Sequence, residues 1–302
     1  MALVRAGVGR IRIIDRDLPE TSNLPRQVLF DEADVAAGHP KAVAAARHLE
    51  RINARALVEP IVADLTAASA PRLLGGVDVI VDGTDNFEAR FLINEFACRA
   101  GVPWVHGGAI GAEGRVLSVV PGTSACLRCL VPEPPAPGAL PTCDTAGVIG
   151  PVALVVGAVE AAEVMKLIVG AGPQVGNRLL VCDLWENLWR TVDLAPLAAM
   201  GCPTCRGGDY PWLEGRAGSQ ATVLCGRDAV QVAPAPGLEG IDLGAFAERM
   251  AEVGRVVANR WIVRVTIEEG MELAVFADGR AIVSGTRDEA RARGLVARYV
   301  GT

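Results

Sequence analysis

A charged loop directly after the first predicted strand constrains this chain more than any other segment. The strand covers residues 10–14, and acids, amides and cations follow it in this order: Asp15, Asp17, Asn23, Arg26, Gln27 and Lys41. An acid at the carboxyl end of a strand in an α/β sheet can accept hydrogen bonds from ribose hydroxyls. Arginine binds phosphate oxygens through a fork of donors, and lysine binds them as a point charge. The order predicts half of a nucleotide site, although each residue alone would be typical of a solvated loop.

The other half of such a site is a glycine-rich phosphate loop, roughly 20 residues before the ribose-binding acid. Only 14 residues precede Asp15, which leaves no room for that loop. Residues 1–9 are typical of the end of a helix, with Gly7 and Gly9 as breakers before the strand. We therefore expect the chain to begin inside an element of the fold.

Length and composition favour a globular protein with one large unit or two unequal ones. The chain has 302 residues, of which 51% are hydrophobic and only 4% aromatic. A core of Ala, Val and Leu suits buried parallel strands covered by helices, and about 150 residues per domain is the usual expectation. The net charge is −6, whereas proteins that bind nucleic acids usually carry clusters of Lys and Arg. We therefore expect no nucleic-acid partner.

No segment has the pattern of a secretory signal or a membrane span. The N-terminus lacks a basic region followed by an apolar core and a small-residue cleavage site, so we expect a cytoplasmic protein. The most hydrophobic segment, 148–169, is interrupted by Glu160, Glu163 and Lys166, and its longest uncharged run is shorter than the ~18 residues that a bilayer requires. This segment predicts a buried or interface helix and no membrane partner.

Strands and helices alternate over the first two thirds of the chain. The patterns predict a helix at 40–51, strands at 56–62 and 77–81, a helix at 87–100, strands at 103–105 and 115–120, a helix at 147–169, and hairpin strands at 178–183 and 189–193. We predict a Rossmann-like, doubly wound α/β sheet that becomes mixed or antiparallel from the strand at 115–120. This predicted nucleotide-binding domain covers residues 1–206.

A second, smaller domain is predicted after a linker. Residues 207–219 are rich in Gly, Pro and polar residues, which indicates the linker, and a small α+β domain follows at 220–302. Asp278-Gly279 is typical of a type I′ hairpin turn. Thr286 with Glu289 predicts a capping box at the start of the last helix.

Another acid stands at a strand end, the edge at which open α/β sheets bind ligands. Asp85 follows the predicted strand at 77–81. A carboxylate there could hold Mg²⁺ against triphosphate oxygens, since this hard cation prefers oxygen ligands. Asp85 or Asn86 could instead cap the helix that begins at Phe87, and both interpretations can hold together.

Two Cys-x-x-Cys pairs have the knuckle spacing of a tetrahedral zinc site: Cys126, Cys129, Cys202 and Cys205. Four thiolates would complete the coordination of Zn²⁺, so we predict a structural zinc knuckle rather than a catalytic metal. Disulfides or redox pairs are the alternative, and the lack of a secretory signal disfavours them.

Cys143 stands alone after a proline-rich stretch and before the long predicted helix. A thiol at a helix N-terminus has a lowered pKa and could attack an activated acyl group, as a thioester or persulfide carrier would. A simple helix-entry residue is the alternative, and the neighbouring Asp144 works against the lowered pKa. Of the remaining cysteines, Cys98 and Cys182 are typical of a core.

Taken together, these motifs resemble the ThiF/MoeB family of ubiquitin-activating-like adenylyltransferases. The resemblance extends from Ala6 to about Arg206 and is carried by residues 15–17, 22–27, 40–41, 84–86 and 142–143 and by the two Cys-x-x-Cys pairs. It implies an ATP-binding set of Asp15, Asp17, Asn23, Arg26, Gln27, Lys41, Asp85 and Asn86. It implies catalytic roles for Arg26, Lys41, Asp85 and Cys143, with Mg²⁺ on Asp85 and Zn²⁺ on the four cysteines.

The reaction implied by this resemblance adenylates the C-terminal glycine of a ubiquitin-like sulfur-carrier protein that ends in Gly-Gly. A sulfur donor, such as a cysteine desulfurase or a sulfurtransferase, then displaces AMP and leaves a thiocarboxylate for thiamine or molybdopterin synthesis. The family is typically homodimeric. A dehydrogenase is disfavoured, because the pair Arg26 and Lys41 suits a triphosphate better than a nicotinamide dinucleotide.

Two departures from the family pattern keep a second hypothesis open. Members of the family begin with a strand, a Gly-x-Gly-x-x-Gly loop and a helix, and this sequence enters only at the end of that helix. We expect the sheet to lack a central strand and the phosphates to lack a backbone N–H cradle. The segment after Arg206 also has no Cys-centred loop of a rhodanese domain. A non-catalytic carrier-binding module or inactive dimer partner is therefore the alternative.

Overall fold

The chain folds into two units, Met1–Gly218 and Ser219–Thr302. The computed structural model describes residues 1–135, 146–171, 175–217, 221–223, 228–233, 240–268 and 270–300. No helix in these ranges has the length and hydropathy needed to cross a membrane.

Strands and helices alternate in the first unit. Its helices are α1 Ala2–Arg5, α2 Glu32–Ala37, α3 Lys41–Ile52, α4 Ala70–Leu74, α5 Phe87–Ala100, α6 Leu127–Leu130, α7 Gly150–Ile168 and α8 Ala195–Ala198. Its strands are β1 Arg10–Ile14, β2 Leu57–Ile61, β3 Ile80–Asp82, β4 Trp104–Ile110, β5 Glu113–Val119, β6 Arg178–Asp183 and β7 Leu188–Asp193. The predicted strands and helices of this unit therefore occur in the predicted order, and the short helices α2, α4, α6 and α8 were not predicted.

The strands form two separate ladders. β1 and β2 pair in parallel, while β3, β4, β5, β6 and β7 form a five-stranded sheet in chain order. Only β3 and β4 are parallel in the larger sheet, and the later pairs are antiparallel. The α/β class and the mixed sheet are confirmed, but the expected single sheet is divided. β1 and β3 each keep one edge that no described strand pairs.

Helices cover both faces of the larger sheet. Successive residues of β4 point to opposite faces, and Trp104 packs in one cluster with Phe91 of α5. Val105 packs in a second cluster with Val152 and Val156 of α7. The long apolar helix predicted between residues 147 and 169 is thus a core helix of this sheet.

Residues of the predicted linker fold onto the first unit. The backbone N–H of Leu213 donates to Oε2 of Glu95 on α5 at 2.9 Å, and Leu213 is buried. The ring centroids of Trp212 and Phe91 lie 5.6 Å apart. The composition of residues 207–219 is typical of a linker, but the apolar side chains of Trp212 and Leu213 in this segment pack against α5.

The second unit is an antiparallel sheet with two helices. Its strands are β8 Ala221–Val223, β9 Ala229–Val232, β10 Val256–Ala258, β11 Ile262–Glu268, β12 Met271–Phe276 and β13 Ala281–Ser284. They lie in the order β10-β11-β12-β13-β9-β8. Helices α9 Leu243–Met250 and α10 Glu289–Tyr299 pack on the sheet through a shared core.

Two local predictions in this unit are wrong. A type I′ turn requires positive φ at both Asp278 and Gly279. Gly279 has φ +85°, but among the described residues other than glycine only Asn177 and Asn187 have positive φ, so Asp278 does not meet the requirement. The backbone N–H of Phe276 donates to the carbonyl of Arg280 at 2.9 Å, so the hairpin has a three-residue loop rather than a type I′ turn.

The last helix also begins differently from the prediction. Oδ1 of Asp288 accepts hydrogen bonds from the N–H groups of Ala290 and Arg291 at 2.9 and 3.1 Å. Asp288 is therefore the N-cap, and Thr286 only accepts a hydrogen bond from the N–H of Asp288 at 3.0 Å. An aspartate nearer the helix wins over the threonine because its side chain reaches the first free N–H groups.

Close packing between β5 and α7 predicts the effect of adding one methyl group. A Cβ at Gly114 would lie 2.6 Å from Val156 and 2.9 Å from Cys182, whereas a Cβ at Gly157 of α7 would meet nothing within 4 Å. We expect Gly114→Ala to lower the free energy of unfolding by roughly 1–3 kcal/mol. Gly157→Ala should raise it by about 1 kcal/mol, because alanine favours the helix. Urea denaturation of both variants measures this, and equal effects would contradict the packing.

Candidate functional site

The carboxyl ends of β1, β2, β3 and β4 open into one cavity of about 520 Å³, which we call the strand-end cavity. Most of the nucleotide-binding residues expected from the sequence line it: Asp15, Asp17, Arg26, Gln27, Lys41, Asp85 and Asn86. Asn23 does not line the cavity, and Cys143 lies outside the described residues. The carboxyl edge of the parallel strands is therefore the place where these charges meet.

Asp15, Asp17 and Lys41 form a linked group at the end of β1. Oδ1 of Asp15 accepts a hydrogen bond from the N–H of Asp17 at 2.8 Å. Nζ of Lys41 lies 3.6 Å from Oδ2 of Asp17, and the N–H of Lys41 donates to the carbonyl of Asp17 at 2.8 Å. Lys41 is only 7% exposed, so its charge is held at the first turn of α3 rather than in solvent.

Burial changes the titration of Asp15. Desolvation raises the pKa of Asp15 to about 6, the nearby charge of Lys41 opposes this rise, and the charge of Asp17 adds to it. A carboxylate that loses water without gaining enough partners is poised to accept hydrogen bonds from a ligand.

The loop at 20–27 is fixed by its own hydrogen bonds. Oδ1 of Asn23 accepts from the N–H of Glu20 at 3.1 Å, and the carbonyl of Asn23 accepts from the N–H groups of Arg26 and Gln27 at 3.1 and 2.9 Å. Asn23 is 3% exposed. It shapes the loop that carries Arg26 and Gln27, and it lies outside the lining of the strand-end cavity.

The start of α7 closes on this loop. A Cβ at Gly150 would collide with the carbonyl oxygen of Pro25, so glycine is required for the close approach. Nη1 of Arg26 donates to the carbonyl of Ser22 at 2.8 Å, and the guanidinium lines the strand-end cavity.

Asp85 and Asn86 have different tasks at the end of β3. Oδ1 of Asn86 accepts a hydrogen bond from the N–H of Ala89 at 2.8 Å, so Asn86 is the N-cap of α5. The alternative capping interpretation therefore holds for Asn86. Asp85 is exposed and lines the strand-end cavity, where its carboxylate oxygens could hold a hard cation.

Sequence reasoning missed a buried group beside Asp85. Asp82 is 1% exposed, and its Oδ2 lies 2.7 Å from Nδ1 of His106 on β4. Nη2 of Arg90 donates to the carbonyl of Thr84 at 2.6 Å, and Nε of Arg90 lies 4.0 Å from the Asp82 carboxylate. The pairing of β3 with β4 brings Asp82 to His106, and no local pattern signals that pairing.

Arg16 was missed as well. Its Nη1 contacts both carboxylate oxygens of Asp64, at 2.9 and 3.0 Å, and both residues line the strand-end cavity. Asp64 follows β2, which pairs with β1. The signal available was the position of Arg16 next to Asp15, which alone does not distinguish a site residue from a solvated one.

Several buried polar atoms in the wall of the strand-end cavity have no hydrogen-bond partner among the described residues. They are Oε1 of Gln27, Oγ1 of Thr84, Nε of Arg90 and Oε1 of Glu160. A buried polar atom without a partner costs free energy, so such atoms in one cavity indicate that a polar ligand completes them.

The four predicted zinc ligands meet in one cluster. The sulfurs of Cys126, Cys129, Cys202 and Cys205 all lie within 4.8 Å of one another. The Sγ–Sγ distances are 3.7 Å for Cys126–Cys202 and 3.6 Å for Cys129–Cys205. Four thiolates at about 2.3 Å from a tetrahedral zinc ion lie roughly 3.8 Å apart, so these residues fit the ion. All four are free thiols, against the disulfide alternative.

The four-cysteine cluster is tied to α5. The N–H of Leu127 donates to Oδ1 of Asn94 at 2.9 Å, and Asn94 is fully buried. Nη1 of Arg128 donates to Oγ1 of Thr204 at 3.1 Å, which joins the two halves of the cluster. None of the four cysteines lines the strand-end cavity, and this separation suits a structural metal.

The similarities to known proteins cover the first unit, and one of them extends over nearly the whole chain. Residues 1–204 match the ThiF family. The sulfur carrier protein ThiS adenylyltransferase of Bacillus subtilis is 40% identical over 300 residues, 99% of this chain and 88% of that protein. The sulfur carrier protein adenylyltransferase of Thermus thermophilus is 40% identical over 216 residues, 69% of this chain and 77% of that protein.

A solved structure with ATP is also similar. Escherichia coli MccB with ATP aligns with a TM-score of 0.58 and 26% identity, over 67% of this chain and 61% of MccB. This chain therefore spans about three fifths of MccB.

The raised pKa of Asp15 predicts a pH-dependent cost to stability. Between its ordinary pKa and about 6, the folded chain holds a proton on Asp15 that the unfolded chain releases, so wild-type stability falls as pH rises through this window. We expect Asp15→Asn to be more stable than the wild type at pH 8 by roughly 2–3 kcal/mol, with the gain lost near pH 4. Urea denaturation at both pH values measures this. The exposed control Asp78→Asn should show no such change, and a pH-independent gain would contradict the burial effect.

Proposed function

Since this chain belongs to the ThiF family, we propose that it is an ATP-dependent adenylyltransferase of the C-terminal glycine of a ubiquitin-like sulfur-carrier protein. The observation that carries the proposal is the strand-end cavity, where acids and cations that follow β1, β2 and β3 share one wall with buried polar atoms that have no partner among the described residues. The names of the relatives from Bacillus subtilis and Thermus thermophilus support the substrate class.

Four charged side chains of the strand-end cavity have a chemical task in this reaction. Asp15 accepts hydrogen bonds from the ribose hydroxyls of ATP, which suits a carboxylate at the end of β1. Arg26 and Lys41 bind phosphate oxygens and offset their charge as the α-phosphorus is attacked. Asp85 would hold the Mg²⁺ that accompanies the triphosphate, and the bound ion would supply positive charge beside the leaving pyrophosphate.

The reaction itself is an in-line displacement. A carboxylate oxygen of the carrier's terminal glycine forms a bond to the α-phosphorus of ATP, the bond to the bridging oxygen breaks, and pyrophosphate leaves with the electron pair. The product is an acyl-adenylate. Catalysis by this chain is then mainly positioning and charge neutralisation.

The acyl-adenylate is the form that a sulfur donor can attack. We propose that the persulfide sulfur of a cysteine desulfurase or a sulfurtransferase attacks the acyl carbon and displaces AMP. A thiol then cleaves the S–S bond of the resulting acyl disulfide, which leaves the carrier thiocarboxylate and a disulfide. The name of the Bacillus subtilis relative favours thiamine synthesis over molybdopterin synthesis. The similarity to this relative covers nearly the whole chain. A covalent role for Cys143 stays a proposal from the sequence alone.

A homodimer is part of the same proposal. Apolar side chains of α7 and the residue after it are solvent-exposed in the single chain: Leu154 by 48%, Ile168 by 50% and Val169 by 76%. A second copy that covered them would remove this apolar surface from water.

A second candidate function is a carrier-binding module that does not turn over ATP. The separate ladders of β1 and β3 favour it, since no described strand joins them into one sheet. Carrier-dependent exchange of pyrophosphate into ATP distinguishes the two. Exchange supports the adenylyltransferase, and carrier binding without exchange supports the module.

The role of Asp85 predicts a loss of this exchange. Asp85→Lys places a cation where Mg²⁺ must bind, so we expect exchange to fall to the background seen with a carrier that lacks its Gly-Gly end. Asp78→Lys makes the same charge change at an exposed residue before β3 and outside the strand-end cavity, and it should keep exchange. Unchanged exchange by Asp85→Lys would contradict the metal role.

We also propose that the four-cysteine cluster binds one structural Zn²⁺. Metal analysis of the purified chain should find about one zinc per chain. Cys205→Ser should lower the zinc content and the midpoint of thermal unfolding, because a structural zinc site contributes directly to folding. Cys182→Ser, at a buried cysteine outside the cluster, should keep the zinc. Full zinc content in Cys205→Ser would contradict the assignment.

A further inference from the structure

Glu160 is a buried acid in the wall of the strand-end cavity that none of the steps above uses. It lies on α7 and is 7% exposed. Its Oε1 has no hydrogen-bond partner among the described residues. In the sequence it stands out only as a charge that interrupts an apolar segment. An acid is expensive to bury without a partner, so its presence there needs a physical reason.

Contact with β4 fixes the position of the Glu160 carboxyl group. A Cβ placed on Gly107 would collide with the carboxyl carbon and both carboxyl oxygens of Glu160. Gly107, Gly108 and Ala109 also line the strand-end cavity. The carboxyl group therefore lies on bare backbone, at the place where β4 enters the cavity.

The surroundings of Glu160 favour its neutral form. Burial raises the pKa of Glu160 to about 8, and the charge of Asp82 on β3 adds to the rise. Other charged or titratable groups stand on the elements that pack with α7: His106 on β4, Glu113 and Arg115 on β5, the amino terminus before α1, Arg5 at the end of α1, and Glu163 and Lys166 on α7 itself. Asp82 is the one whose charge acts on Glu160, so at neutral pH this side chain offers an O–H donor and no charge.

We propose that Glu160, as a neutral acid, donates a hydrogen bond to an oxyanion bound in the strand-end cavity and so positions it for reaction. This role rests on the proposed function, which supplies two such oxyanions: a phosphate of ATP and the terminal carboxylate of the carrier. A neutral donor binds an oxyanion without adding to the positive charge of Arg26 and Lys41. An ionised Glu160 would instead repel it.

A pH series tests this role in two arms. Calorimetric titration with ATP and Mg²⁺ from pH 6.5 to 9.5 measures the phosphate arm, and the KM for the carrier in pyrophosphate exchange measures the carboxylate arm. In the arm that Glu160 serves, wild-type affinity should fall about tenfold per pH unit above pH 8. Glu160→Gln keeps a neutral donor of similar size, so its affinity should change less than twofold over the same range.

Two further variants separate binding from folding. Glu160→Ala should bind the same ligand roughly tenfold more weakly at pH 7, because the hydrogen bond is lost. Glu163→Gln changes an acid on the same helix that bonds to Ser118 and lies outside the strand-end cavity, and it should retain the wild-type pH profile. Glu160→Gln carries the test if Glu160→Ala does not fold.

Identical pH profiles for the wild type and Glu160→Gln in both arms would overturn the role of Glu160 and leave the proposed function intact. Wild-type protein that binds neither ATP nor the carrier at any pH would overturn the proposed function, and this role with it.

Discussion

Loss of water at the carboxyl ends of the parallel strands is the constraint on which the site depends. Asp15, Asp82 and Glu160 are acids that the fold places in or beside one cavity, where burial removes water from their carboxyl groups. A hydrogen bond with His106 satisfies Asp82. For Asp15 and Glu160 the cost appears as a raised pKa, which is the usual signature of a side chain kept for a ligand rather than for stability.

The scaffold keeps this costly arrangement rigid in two ways. Asn23 fixes the loop that carries Arg26, and the start of α7 packs on the backbone of the same loop at Pro25. On another side of α5, the four-cysteine cluster and the segment around Leu213 are anchored by Asn94 and Glu95. Helix α5 therefore links the cap at the strand-end cavity to the proposed zinc clamp, and rigid elements of this kind position ligands better than free loops do.

Much of this site could be predicted from the sequence, because its signals are local. Asp15, Arg26 and Lys41 lie in one short stretch after a strand, and the two Cys-x-x-Cys pairs have a spacing that only a few chemistries use. Residues whose role depends on strand pairing could not be predicted. His106 meets Asp82 through the register of β4 on β3, and Arg16 meets Asp64 through β1 on β2.

The remaining differences from prediction have physical causes of the same kind. Composition indicated a linker at 207–219. Trp212 and Leu213 pack on α5 instead, because burial of their apolar surface lowers the free energy relative to exposure to solvent. The turn after Phe276 and the cap at Asp288 depend on which hydrogen bonds the backbone completes. A shift of one residue changes those hydrogen bonds, and a sequence pattern does not locate the ends of elements that closely.

The central claim is that the strand-end cavity is a nucleotide site, and direct binding tests it most simply. Calorimetric titration of the chain with ATP and Mg²⁺ at pH 7 should show one ATP bound per chain. Absence of ATP binding by folded protein would contradict the account, because the acids and cations at the strand ends would then lack the ligand that explains their burial.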